Sequence, residues 1–281
     1  MGKKKMSESR VFDIINRIIL IILAIIIVVP VWNIVASSIS SGKSLAEGGF
    51  VFWPKEVSFE NYKFVMKDSS IWKAYIISIA KTVIGVVTHV FFCSMVAYGL
   101  SKRYLWGRKI YTAMGIIPTY LLMRQLGLLN NFMVYILPSL FSYYDVVILM
   151  NFFRQIPNSL EESAMIDGAG VWRTFLKIVA PLSKPALVTI ALFNGVYQWN
   201  DFMTAKLYIT DKNLYPVQMK LYEIIVQQSV KNMNVGSVIM DTTSKGVQLA
   251  TIVITTVPIL IAYPLLQKHF VSGMMLGAVK E

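Results

Sequence analysis

Long apolar runs alternate with short polar connections along this 281-residue chain. Residues 18–37, 74–101, 132–153, 185–205 and 247–266 are each long enough to cross a bilayer as a helix, which takes about 20 mostly apolar residues. A shorter run, 110–123, carries Gly115 and Pro118 and completes six predicted spans. To cross, it has to kink, lie buried among other helices, or borrow the turn after Arg124. The fourth run contains Pro138 and one acid, Asp145, and Pro258 and Pro264 interrupt the sixth. The first run is long for the core of a signal peptide and lacks a clear small-residue cleavage site, so it reads as a retained span. Between spans, 58–66 predicts a short helix at the interface, 126–131 a tight external turn, and 206–246 a long polar external loop.

One polar stretch, 159–181, is too regular to be a linker. Ser159 and Glu162 stand at capping-box spacing and predict a helix start. Asp167-Gly168 predicts its end, because only glycine enters positive φ without steric cost. Trp172, Phe175, Leu176 and Val179 then recur on one helical face, and Trp172, Phe175 and Leu176 are expected to fasten the element to the chain's own helices. Pro181 and Pro185 close this second helix and lead into the fifth span. A helix–turn–helix with one greasy and one polar face, held between two spans, is a shape for docking a soluble partner.

Composition fixes the class. Over half the residues are apolar, and the net charge of +12 is concentrated beside the spans. That is the signature of topology rather than of nucleic-acid binding. Lys102, Arg103, Arg108 and Lys109 follow the second span without an acid among them. With the basic segment before residue 18, they place both termini, this loop and the 159–181 stretch in the cytoplasm. The single cysteine, Cys93, allows no disulfide within the chain, and two distant histidines, His89 and His269, give no metal-binding spacing.

Other features admit two uses each. Gly42-Lys43-Ser44 ends like a phosphate loop, but Ser37 stands where that motif needs its first glycine, and no strand precedes it. No ATP site is expected in this chain. Lys81, His89 and Asp145 lie in or beside spans, where charge normally faces the bundle interior. They line a solute path, or they serve structure, as an interhelical pair such as Lys81 with Asp145 or by snorkelling of Lys81. The structural use is the expectation. Tyr197, Gln198, Trp199, Asn200 and Asp201 combine an aromatic face with amide and carboxylate groups. This mixture binds sugars, and it also describes an interfacial aromatic belt at a helix end; both readings stand. The 206–246 loop is long enough to reach a partner, which is its expected use.

At Glu162-Ser-Ala-Met-Ile-Asp-Gly168, followed after nine residues by Ile178-Val-Ala-Pro181, the chain resembles the cytoplasmic "EAA" loop of ABC-importer permeases. That family's pattern is Glu-Ala-Ala, three residues, Gly, nine residues, then Ile-x-Leu-Pro. Ser163 replaces the second-position alanine, next to a matching Ala164, and Ala180 replaces the leucine. Residues 50–66, Ala97-Tyr-Gly-Leu-Ser-Lys102, Trp199-Asn-Asp-Phe202 and the tail 273–280 are similar to other signatures of carbohydrate-uptake permeases, in particular the smaller subunit of maltose-type pairs.

The resemblance implies an all-α polytopic fold of six transmembrane helices, the type I ABC-importer permease (MetI-like) architecture, with both termini cytoplasmic. Residues 1–70 would form the N-terminal tail, first span and first external loop. Residues 71–267 would form the permease core, with a coupling loop at 157–184, and 268–281 a cytoplasmic tail. Glu162, Ser163, Ala164, Asp167, Gly168, Ile178 and Pro181 are the implied ATPase-coupling residues, and Tyr197 to Asp201 the candidate translocation path. In maltose-type pairs, however, most substrate contacts belong to the larger subunit. The implied partners are a second homologous permease subunit, a cytoplasmic ABC ATPase dimer, an extracytoplasmic solute-binding protein, a carbohydrate and the lipid of a bacterial plasma membrane, with no nucleic acid. No cofactor is expected on this chain, since ATP and Mg belong to the ATPase. A non-sugar solute served by the same architecture is the nearest rival. A membrane-embedded enzyme would need a catalytic constellation, and a secondary transporter would show repeated halves; neither is visible.

Overall fold

In the computed structural model, which describes residues 2–101, 116–231 and 244–278, helix follows helix. The β structure among the described residues is one isolated bridge between Ser40 and Val57. Two compact units divide the chain, 1–68 with 224–255, and 69–223 with 256–281.

In the first unit, α1 (Gly2–Ser38) is exposed along almost its whole apolar length, with Ile18, Ile22, Ile26 and Val29 all outward. Such a surface belongs in lipid. Its C-terminal end is tied down by polar contacts. The Trp32 indole donates to the Phe52 carbonyl at 2.7 Å, and Ser38 and Tyr62 share a hydroxyl hydrogen bond at 2.7 Å. Ser41 caps α2 (Gly42–Ala46) by accepting the Ser44 N–H, so the Gly-Lys-Ser sequence forms a short capped helix. The short helix expected at 58–66 forms as α3 (Glu60–Lys67). Its Asn61 is wholly buried, and a Cβ at Gly246 would stand 2.4 Å from the Asn61 amide nitrogen, so only glycine allows that approach.

The second unit is organised around α4 (Ser69–Ser101). Ala74, Ser78, Lys81, Gly85, His89, Cys93 and Ala97 recur every three or four residues as a buried stripe. Ile76, Val83, Val87 and Phe91 cover the opposite, exposed face. Polar groups thus point inward and apolar ones outward, the arrangement that lipid demands. Against the buried stripe pack α6 (Tyr143–Phe153) and α10 (Lys184–Asn200). Cys93, Ala97, Tyr98, Leu149, Phe153, Phe175, Val179 and Ile190 close one core among these elements.

The spans are less continuous than their apolar length suggests. Three helices are long and apolar enough to cross singly: 10–38, 69–101 and 245–262. Two bent pairs raise the number to five among the described residues. The run 132–153 divides into 3-10 turns, Phe132–Tyr135 and Leu137–Ser139, and then α6, with a 47° bend. Proline near the start of the second 3-10 turn and the Ser142 cap of α6 account for the break. Span five ends at Asn200, short of residue 205, and α11 (Met203–Tyr208) starts anew. Span six is not interrupted: α13 (Ser244–Ala278) runs through Pro258 and Pro264. Of the third span only α5 (Ile116–Gln125) lies among the described residues; 110–115 and the basic loop 102–109 lie outside them, as do 232–243 and 279–281. The turn at 126–131 forms, with Gly127 and Asn130 at positive φ. The loop expected at 206–246 is in part helical, since α12 (Val217–Lys231) occupies its middle.

Candidate functional site

The polar stretch folds as α7 (Asn158–Ile166), a turn, α8 (Val171–Thr174), a π turn (Phe175–Val179) and α9 (Ala180–Leu182). α7 ends in a Schellman motif. Gly168 sits at φ +75°, its N–H donates to the Met165 carbonyl at 3.0 Å, and the Ala169 N–H reaches the Ala164 carbonyl at 2.8 Å. The start differs from the capping-box expectation. Pro157 precedes the helix, no side chain caps it, and Ser159 lies inside its first turn. Proline, with φ already fixed, initiates the turn in place of a serine cap.

Of the residues singled out by spacing, Glu162, Ser163, Asp167, Gly168 and Pro181 are exposed, Ile178 is half-buried and Ala164 is buried. The apolar face divides. Phe175 and Val179 are buried, whereas Trp172 and Leu176 are each 56% exposed and do not fasten the element to the chain. The π turn explains the split. The Ala180 N–H bonds back to Phe175 across five residues, so the buried side no longer follows a 3.6-residue period. Thr174, fully buried, joins Phe175 and Val179 inside.

Sequence spacing did not reveal the fastening that α7 uses. Glu161, beside the exposed Glu162, is buried and accepts a hydrogen bond from the Tyr98 hydroxyl at 3.2 Å. Tyr98 lies at the C-terminal end of α4 and packs on Phe175 at 5.0 Å between ring centroids. A rigid polar and aromatic joint thus ties the exposed helix to a long span. Ser183 then breaks the chain between α9 and α10, and the two arms meet at 80°.

Further along α10, a cleft of about 470 Å³ opens in the second unit. Tyr197, Gln198 and Asp201 line it, with Asn194 and Phe193 from the same helix and Tyr135, Ser139, His89 and Asp145 from neighbouring elements. Trp199 and Asn200 do not. Trp199 is buried against Tyr75 and Val217, and Asn200 is exposed and bonds back to the Val196 carbonyl.

The ionisable groups are paired, although not as Lys81 with Asp145. Lys81, entirely buried rather than snorkelling, donates to the Asp201 carbonyl at 2.7 Å and lies 3.4 Å from its carboxylate. It also stands over the Tyr135 ring, 4.9 Å from its centroid. His89 instead meets Asp145, Nε2 to carboxylate at 2.9 Å, while Nδ1 donates to the Ser139 carbonyl at 2.5 Å. The i, i+4 spacing of Lys81, Gly85, His89 and Cys93 is the sequence signal that marks this inward face.

The family of binding-protein-dependent transport system inner membrane components matches residues 5–276. The chain belongs to this family. It is therefore the membrane component of a transport system rather than an enzyme. Two relatives from Bacillus subtilis match over nearly their full length. The polygalacturonan/rhamnogalacturonan transport system permease protein YtcP is 38% identical, over 97% of this chain and 99% of its own. Protein LplC is 39% identical over 97% and 96%. A crystal structure of a bacterial ABC transporter involved in import of the acidic polysaccharide alginate superposes with a TM-score of 0.83 at 32% identity, over 94% of this chain and 98% of that one. The permease thus has the fold of an ABC-importer membrane subunit.

Proposed function

We propose that this permease imports an oligosaccharide delivered by an extracytoplasmic binding protein, and that ATP hydrolysis on a separate cytoplasmic ATPase dimer drives it through α7 and the Gly168 turn. A second, homologous permease completes the translocation unit in a bacterial plasma membrane. Six spans with cytoplasmic termini place 157–184 on the ATPase side. The observation that carries this reading is the exposed α7, ended by a glycine-dependent turn and anchored from beneath through Glu161 to Tyr98 of α4. Motion imposed on such a helix passes to a span through packed, hydrogen-bonded contacts. The names of the relatives, which specify polygalacturonan/rhamnogalacturonan and the polysaccharide alginate, support the carbohydrate class.

Reconstitution of the assembled transporter in proteoliposomes tests the proposal. ATP-dependent, binding-protein-dependent sugar uptake is expected, and Glu162→Lys should abolish it by reversing charge on the docking face. A thiol reagent should label Ser163→Cys from the cytoplasmic side alone. Uptake that survives Glu162→Lys, or labelling from outside, would overturn the reading.

A further inference from the structure

The cleft beside α10 has two adjoining stripes from one helix. Phe193 and Tyr197, four residues apart, form an aromatic strip. Asn194, Gln198 and Asp201, at the next positions round, form a polar strip. Both side-chain amides are almost fully buried. The Gln198 amide nitrogen is held by the Tyr135 carbonyl at 3.2 Å and the Ser139 hydroxyl at 2.8 Å. The Asn194 carbonyl oxygen has no hydrogen-bond partner among the described residues. A buried acceptor left unmet costs about 1–3 kcal/mol; Asn194 lines the cleft, so a small turn of its side chain would offer this acceptor to a donor brought in from outside. The volume of about 470 Å³ falls within the range of about 300–1,000 Å³ typical of small-molecule sites.

The charges around the cleft cancel internally. The Ser139 carbonyl can only accept, so His89 Nδ1 carries a proton. The His89–Asp145 hydrogen bond then holds one further proton, on the ring or on the carboxyl group. In either placement the pair is neutral. Asp201 is matched by Lys81. No Lys or Arg is among the described residues that line the cleft. An anionic sugar would find no free cation here, and two carboxyl groups close by. A neutral ring would find an aromatic strip for its C–H face and an amide oxygen for a hydroxyl.

We propose that this cleft is a sugar subsite supplied by this subunit, and that it takes an uncharged sugar ring rather than a uronate. The proposal rests on the oligosaccharide reading above. It sets the permease apart from the similar transporter involved in import of the acidic polysaccharide alginate.

Protection from thiol labelling tests it. Cys93, the only native cysteine, is fully buried, and Tyr144 stands exposed at the cleft rim outside both strips. Tyr144→Cys in the assembled transporter is labelled with a small methanethiosulfonate reagent. Labelling is measured on this chain, in the presence of neutral gluco-, xylo- and galacto-oligosaccharides or of oligogalacturonates. Uptake of each probe is measured in parallel. A neutral probe should slow labelling at least fivefold and oligogalacturonates less than twofold. Asn194→Leu, with the complex assembled to the same yield, should abolish the protection and raise the KM for uptake about tenfold. Protection by oligogalacturonates alone would overturn the charge assignment. Imported probes that give no protection, or protection unaffected by Asn194→Leu, would overturn the subsite while leaving the transport function standing. Absence of uptake for every probe would count against the transport reading itself.

Discussion

Gly168 offers the sharpest separation between backbone geometry and surface shape. It stands at φ +75°, and a Cβ built there meets nothing within 4 Å. An added Cβ therefore meets no clash among the described residues, and for alanine the internal cost is conformational. Holding an L-residue in the left-handed region costs about 1–2 kcal/mol, and asparagine escapes part of this. At about 1.4 kcal/mol for each factor of ten, Gly168→Ala should reduce the population of the formed turn by about 5- to 30-fold. Gly168→Asn should lose less, and the β-branched Gly168→Val more. If the turn is what positions α7, binding-protein-stimulated ATPase and sugar uptake in proteoliposomes should fall in the order Asn, Ala, Val. If only the bulk presented to a partner mattered, the order would follow side-chain size, with Ala milder than Asn. Finding Ala closer to wild type than Asn would refute the backbone argument.

Three further tests probe the interior. Lys81→Met leaves the Asp201 carboxylate without its buried cation and should cost about 3–5 kcal/mol, read as loss of folded permease during thermal challenge in detergent. Adding Asp201→Asn should recover at least half of that loss. Gly85→Ala would set a Cβ 2.6 Å from the Gln198 amide nitrogen and should destabilise by about 1–3 kcal/mol through overpacking; an unchanged melting temperature would contradict the close approach of α4 and α10. Tyr98→Phe removes the hydroxyl that reaches Glu161, a bond to a carboxylate worth about 1.5–3 kcal/mol. It should raise the ATP hydrolysed per sugar imported, and an unaltered ratio would remove Tyr98 from the coupling element.

How much of this was legible depends on the range of the physics involved. Apolar length is a local property, so the membrane class and most helices follow from it directly. Gly168 is legible for the same reason, since a positive φ selects glycine within a single turn. Breaks within spans are less so. Proline marks the bend near Pro138, yet Pro258 and Pro264 stay inside one continuous α13, because neighbouring structure decides whether a proline kinks a membrane helix. Pairings between distant residues were not readable. Lys81 meets Asp201 across 120 residues and Tyr98 meets Glu161 across 63, and only the packing of α4 on its neighbours selects those partners. The polar residues of α12 suggest a loop; the helix is held by a local Lys220–Glu223 pair together with two contacts from elsewhere in the chain, the ion pair of Glu223 with Lys212 and Tyr222 stacked on Phe202 at 5.1 Å.

The claim that work enters this permease at α7 can be tested at Ile166. This apolar side chain is 85% exposed beside the Gly168 turn. A photo-crosslinking amino acid at Ile166 in the assembled transporter should capture the ATPase subunit, with a yield that changes when ATP replaces the nucleotide-free state. Intact, transport-competent complexes that yield no ATPase adduct from this position would contradict it.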